Sequence, residues 1–246
     1  MTGRITVAVT GGDGHIGGIL RTRLSERFEP RWLGRDDADI TDLGALERAI
    51  AGAEAVVHLA ATPDVRADWD EVHSANVVGG HHVLEAARRA GVRRVVLASS
   101  NHVMGMYQWD DDRFADPERP VEVTTHDPVR PDSLYGASKV WGEALGRLYA
   151  ERHGLQVVCL RIGWVPDEDE PPSSTLTEQR FEPPHVARRA LGMWLSHRDC
   201  ASLIEAALTA DVSFAIVHGV SDNVGRWLSL EEAHRLLGWR PLDGIR

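Results

Sequence analysis

Short apolar, β-branched runs alternate along this chain with stretches of helical period. Ile5-Thr6-Val7-Ala8-Val9 has the length and composition of a buried strand, and Ile19, Leu20 and Leu24 beyond it share one side of a helix. Arg31-Trp32-Leu33-Gly34 predicts a second strand. Asp39-Ile40-Thr41-Asp42 predicts a short strand end and a helix cap, with Leu43, Leu46 and Ile50 on one helical face. Ala55 to Ala61 predicts a third strand, followed by a helix that Asn76 and Gly79 open and Val83, Leu84 and Ala87 continue. Arg93 to Ala98 predicts another strand, running out into Ser99-Ser100-Asn101-His102, and Leu155 to Gly163 a further one. Strands alternating with helices of this length build parallel βαβ units, and right-handed crossovers gather the strand ends on one rim. The expected class is therefore α/β, a Rossmann-like doubly wound parallel sheet.

Beyond Gly163 the pattern breaks. Pro166 to Pro184 is acidic, rich in proline and without period, which predicts a mobile loop over about 166–187 near a substrate entrance. Order returns with Met193-Trp194-Leu195-Ser196, a helix through Leu203, Ile204 and Leu208, a strand at Phe214 to Val217 and a short helix from Leu230 to Leu237. The division expected is 1–163 as a dinucleotide-binding Rossmann domain and 164–246 as a small substrate-binding portion within the same globule.

The dinucleotide expectation comes from the first strand-to-helix turn, Thr10-Gly11-Gly12-Asp13-Gly14-His15-Ile16-Gly17. Glycines at 11, 14 and 17 permit a tight turn, close approach of a pyrophosphate and packing of helix on strand. Free N–H groups and the dipole at the helix start then favour the phosphates. Ala60-Ala61, small residues at a strand end, leave room for a ligand above the sheet. At the end of the second strand, Arg35 stands before Asp36 and Asp37, a mixed signal for the adenine ribose that leans toward a 2′-phosphate and hence NADP.

Composition narrows the partners. A net charge of -10 argues against nucleic acid. No apolar run reaches the roughly 18 residues of a membrane span and no leader pattern opens the chain, so a cytoplasmic protein without a membrane partner is expected. Cys159 and Cys200 lie in apolar contexts as buried thiols, and the 12 histidines show no metal-site spacing, so no metal is expected.

One residue type does stand out. Of the 27 basic residues only Lys139 is a lysine, and it lies four positions after Tyr135, one of three tyrosines. Positions i and i+4 share a helix face, so the ammonium neighbours the phenol. A cation that close is expected to draw the phenol down from about 10 by some one to three units, making a general base.

With the glycine turn, Asn76, Ser100 and Tyr135-x-x-x-Lys139 in this order, the chain resembles the extended short-chain dehydrogenase/reductase superfamily, its NAD-dependent epimerase/dehydratase-like branch. Ser99-Ser100-Asn101-His102, Leu134 to Lys139, Arg161-Ile162-Gly163 and Met193 to Asp199 are similar to uronate dehydrogenases and archaeal-type glucose-6-phosphate dehydrogenases. The resemblance implies oxidation of the C1 hydroxyl of a cyclic sugar, a sugar phosphate or a uronic acid, to a lactone with hydride passing to NAD or NADP. It implies Tyr135 as base, Lys139 on the nicotinamide ribose and beside the phenol, and Ser100 on the reacting hydroxyl. Asn101 and His102 would touch the sugar, and Arg189 its anionic group. Gly11, Gly14, His15, Ile16, Gly17, Arg35, Asp39, Ile40, Leu59, Ala60, Ala61 and Asn76 would hold the dinucleotide.

Plainer roles are open to the same residues: a helix cap for Ser100 and Asn101, a satisfied core position for His102, a surface ion pair for Arg189. Three positions depart from the relatives' pattern: Arg35 where uronate dehydrogenases carry an acid, Trp164 after Arg161-Ile162-Gly163, and Pro63 in place of a small polar contact. Two other functions compete, a nucleotide-sugar epimerase, dehydratase or reductase using the same tyrosine and lysine, and a non-catalytic NAD(P)-sensing regulator. By analogy with the superfamily a homodimer or higher homo-oligomer is expected.

Overall fold

The computed structural model describes residues 3–110, 122–171 and 189–246. Six parallel strands form one sheet: β1 (Ile5–Thr10), β2 (Phe28–Leu33), β3 (Ala55–His58), β4 (Arg94–Ser100), β5 (Gln156–Ile162) and β6 (Phe214–Gly219), in the order β2-β1-β3-β4-β5-β6. The order reverses between β1 and β3, and open α/β sheets bind ligands in the crevice at such a point.

Both faces are covered, which is why the strands read as continuous apolar runs. Val7, Val9, Val96, Val158 and Leu160 point to one side, into a core shared with α1 (His15–Arg23), α6 (His197–Thr209) and α7 (Glu231–Leu237). Ala8, Val56, Val95, Leu97, Val157 and Cys159 point to the other, against α2 (Leu43–Ile50), α4 (Gly79–Arg89) and α5 (Leu134–His153). A third cluster, of Val103, Met104, Tyr107, Met193, Trp227 and Leu228, lies between the segment after β4 and the C-terminal stretch. Cys159 and Cys200 are buried free thiols.

Several boundaries differ from the sequence reading. The Asp39–Asp42 segment is not a strand; Asp42 caps α2 by accepting from the Ala45 N–H. β3 stops at His58, leaving Leu59 to Ala61 in the loop above the sheet. Asn76 does not open a helix. It sits in a π-helical turn (His73–Val78) that joins α3 (Trp69–Val72) to α4 in one rod, whose true start is the Asp68/Glu71 capping box. Gly79 is fixed inside that rod because a Cβ would lie 2.6 Å from Ile40 Cδ1.

Of the acidic loop expected over 166–187, residues 172–187 lie outside the described residues. Its first part is tied down: Asp169 accepts from Arg23 Nη2 at 2.6 Å and from the His197 N–H at 2.7 Å. Among the described residues no helix is long and apolar enough to cross a membrane.

Candidate active site

The glycine turn is built by close backbone approach. Gly11 has φ 71°, and a Cβ there would stand 2.6 Å from the Ala60 nitrogen, so β1 and the loop after β3 can meet only through glycine. Gly14 caps α1, and a Cβ on Gly17 would run into the Gly12 carbonyl. Beside this turn lies a cavity of about 470 Å³, walled by Gly11, Asp13, Gly14, Gly34, Arg35, Asp39, Ile40, Ala60, Ala61 and Thr62 among others. The cradle and crevice fit a dinucleotide: bare backbone where phosphates would pass, and polar side chains at one end.

His15, Ile16, Gly17 and Leu59 stand beside the cavity rather than in its wall. Ile16 and Leu59 pack into the core, and the His15 ring meets His197 edge-on at 5.5 Å. Asn76 is buried with its amide committed. Its Nδ2 donates to Ser138 Oγ at 2.9 Å and to the Thr62 carbonyl at 3.1 Å, while its Oδ1 accepts from the Thr62 N–H at 2.8 Å. Ser138 Oγ in turn donates to the Tyr135 carbonyl at 2.7 Å. Asn76 thus clamps the cavity wall to the tyrosine helix.

That helix, α5, starts at the rim. Ser133 caps it by accepting from the Gly136 N–H at 3.0 Å, and a Cβ on Gly136 would lie 2.5 Å from the His102 carbonyl. Gly136 therefore lets α5 press onto the 3-10 run Asn101–Trp109 that follows β4. The contact brings Tyr135 against Ser100 and His102: the two rings meet edge-on at 5.7 Å, and the Ser100 hydroxyl is near enough to draw the phenol down. Ser100 Oγ also accepts from the His102 N–H at 3.2 Å, so it serves as cap and as partner of the tyrosine.

Lys139 Nζ lies 5.5 Å from the centre of the Tyr135 ring and donates to the Ala98 carbonyl at 2.8 Å. The expected acidification of the phenol is not found. Burial pushes the Tyr135 phenol up, hydrogen bonding from Ser100 pulls it down by less, and the Asp132 carboxylate pushes it up further. The lysine is desolvated too, which brings it down to about 8. Helical spacing set the two groups side by side, but burial decides the direction in which each is moved.

Two expected sugar contacts face protein groups. Asn101 is buried, with its Nδ2 donating to the Met193 sulfur at 2.8 Å. Arg189 directs Nη1 to the Gln108 carbonyl at 2.6 Å.

Other residues of the site were not anticipated. Asp132 holds His102 Nδ1 at 2.8 Å, and Gly105 makes room for that carboxylate, since a Cβ there would overlap it. A carboxylate can only accept, so Nδ1 is the donor of this pair and Nε2 is the ring nitrogen left for another partner. His58, buried near Lys139, bonds Thr10 Oγ1 at 2.8 Å and is held neutral, down to about 3, by burial and then by the lysine's charge. Glu143, one turn beyond Lys139, takes Arg161 in two bonds of 2.8 Å and Ser99 Oγ at 2.6 Å, fastening α5 to β4 and β5.

Known proteins are similar to this chain along nearly its whole length. The profile of the NAD dependent epimerase/dehydratase family matches residues 7–165. The L-arabinose 1-dehydrogenase (NAD(P)(+)) of Haloferax volcanii is 41% identical over 254 residues, covering 96% of this chain and 96% of that protein. The NAD-dependent glucose-6-phosphate dehydrogenase of the same organism is 35% identical, covering 96% of this chain and 93% of that one. A uronate dehydrogenase structure from Agrobacterium tumefaciens, a tyrosine-to-alanine variant complexed with NAD, aligns at a TM-score of 0.79 and 29% identity over 98% of this chain and 86% of that one.

Proposed function

This chain belongs to the NAD dependent epimerase/dehydratase family, and from that premise we propose that it is an NAD(P)-dependent dehydrogenase oxidising the C1 hydroxyl of a cyclic aldose to a lactone. The observation that carries the reading is the meeting of Ser100, His102, Tyr135 and Lys139 at the rim, with the glycine-lined crevice in the same molecule. When bound there, the nicotinamide supplies the hydride acceptor and a positive charge that favours phenolate. Tyr135 takes the hydroxyl proton, and Ser100 orients the oxygen that loses it. His102 offers Nε2 to a neighbouring sugar hydroxyl, with Asp132 fixing its tautomer. Lys139 keeps positive charge close to the phenol ring. Base catalysis of this kind contributes about 10²–10⁴ in rate, and alignment of the sugar much of the remainder.

Among sugars, a neutral aldose comes first. One arm of Arg189, the expected anion contact, is engaged by a backbone carbonyl, and the 41% identical relative bears the name of an unphosphorylated pentose. The test offers NAD⁺ and NADP⁺ with L-arabinose, glucose 6-phosphate, glucuronate and galacturonate, and follows nicotinamide reduction together with lactone formation. Reduction with L-arabinose ahead of the anionic sugars is expected. Interconversion of nucleotide sugars without net reduction would replace the reading with an epimerase.

The assembly proposed is a homodimer through α5. Leu134, Trp141 and Leu148 are 45%, 45% and 47% exposed and seven residues apart, with exposed Ala137 and Ala144 between them. Such an apolar seam suits the same helix of a second copy. Light scattering should give twice the chain mass, falling to one in Trp141→Glu; a monomeric parent protein would refute the assembly.

A further inference from the structure

The end of the cavity that would receive the adenine ribose is built in an unusual way. In a dinucleotide fold of this type the acid that accepts the ribose hydroxyls extends from the end of β2. Here β2 ends at Leu33 and the next residue is Gly34, which has no side chain to offer. The space is nevertheless filled. Gly12 donates its N–H to the Leu33 carbonyl at 3.2 Å, and its Cα faces Trp32, so the glycine turn lies directly along the end of β2. Asp13 is thereby carried over Gly34, and a Cβ built on Gly34 would fall inside the Asp13 carboxylate. The glycine and the aspartate are complementary: the missing side chain makes the room that the carboxylate occupies.

That carboxylate is held in place. Asp13 Oδ1 accepts from Arg21 Nη2 at 2.8 Å, and Arg21 is itself fixed by its Nε bond to the Gly12 carbonyl at 3.1 Å and by stacking on Trp32 at 4.8 Å. The other oxygen, Oδ2, is the one nearest Gly34, and Asp13 forms part of the cavity wall. Taking the dinucleotide reading above as its basis, we propose that Asp13 stands in for the absent β2 acid, accepting from a free 2′-hydroxyl and repelling a 2′-phosphate, so that the site selects NAD over NADP.

The surrounding charges agree. Arg35, the residue that by itself pointed to NADP, lines the same cavity as Asp39 and acts on that carboxyl through its charge. Arg21, the other guanidinium at this end, is occupied by Asp13. Asp36 and Asp37 follow Arg35 directly, and Asp37 Oδ2 accepts from the Gly34 N–H at 2.9 Å. Asp13, Asp37 and Asp39 thus stand at this end beside two arginines, one of them already paired. A 2′-phosphate would need a surplus of positive charge, whereas a neutral hydroxyl needs only a well-placed acceptor.

The test compares NAD⁺ and NADP⁺, by dissociation constant and by kcat/KM, in the parent protein and in Asp13→Asn. The carboxylate is largely exposed, with 70% of the side chain accessible, so the variant should keep its fold; Asp13→Ser repeats the removal of charge if it does not. The parent should prefer NAD⁺ by roughly tenfold or more, and Asp13→Asn should shrink that ratio by about tenfold, chiefly through improved use of NADP⁺. A parent that prefers NADP⁺, or an unchanged ratio in both variants, overturns the assignment while leaving the dinucleotide reading intact. Failure of the parent to bind either dinucleotide would instead remove that reading and this inference with it.

Discussion

The glycine turn and the tyrosine rim sit above the same sheet edge and are made of opposite materials. At the turn, shape comes from backbone: Gly11 and Gly17 touch other main-chain atoms where a Cβ would collide, and the polar side chains of Asp13 and Arg35 are exposed. At the rim, shape comes from side chains bonded across long separations, buried for Asn76 to Ser138 and Glu143 to both Ser99 and Arg161, half-buried for His102 to Asp132. A backbone cradle suits a ligand shared by many enzymes, since phosphates need only N–H groups and space. A reacting centre needs individual side chains held to within fractions of an ångström.

Built so differently, the two regions should fail differently. The largest effect is expected from acid, on the buried side-chain part. His58 and His218, the latter buried on β6 beside Arg161, are both held neutral down to about 3 by burial, against about 6.5 for a free imidazole. Between those values only the unfolded chain takes up the protons, so stability is whole above about pH 6.5 and is lost as pH falls toward 3. The urea midpoint should fall steadily through that window; a flat midpoint would show that the histidines are hydrated. Next comes Glu143→Ala, which strands the Arg161 guanidinium in the core and should lower unfolding free energy by about 3–5 kcal/mol. Last comes Gly11→Ala. The left-handed φ of 71° by itself costs an alanine about 1–2 kcal/mol, and the collision with the Ala60 backbone should displace the turn and abolish dinucleotide binding. Denaturation curves and a binding titration on both variants would break the contrast if Gly11→Ala bound normally or Glu143→Ala unfolded unchanged.

The same contrast explains how much could be read from the residues in order. The cradle was legible because a backbone demand appears as one residue type at fixed local spacing, as at Gly11, Gly14 and Gly17. Tyr135 and Lys139 were legible because one helix turn separates them. The double-sided strands announced the sheet through their unbroken apolar runs. Asp132 was not legible as the partner of His102, 30 residues away, nor Ser138 as that of Asn76, 62 residues away, since no local period links them. The acidity of Tyr135 was misjudged for a related reason: spacing reports a neighbouring charge but not the water excluded around both groups. The capping box at Asp68-x-x-Glu71 was present as a local signal, and it would have put the start of the helix eight residues ahead of Asn76.

Holding and reacting are separable in this molecule, with one phenol doing the proton transfer. Tyr135→Phe removes a single oxygen, so the measurement is dinucleotide affinity and sugar turnover on that one variant. Affinity should stay within about twofold of the parent while turnover falls by about 10²–10⁴. Turnover within tenfold of the parent, in a variant that still binds the dinucleotide, would contradict that role of the phenol.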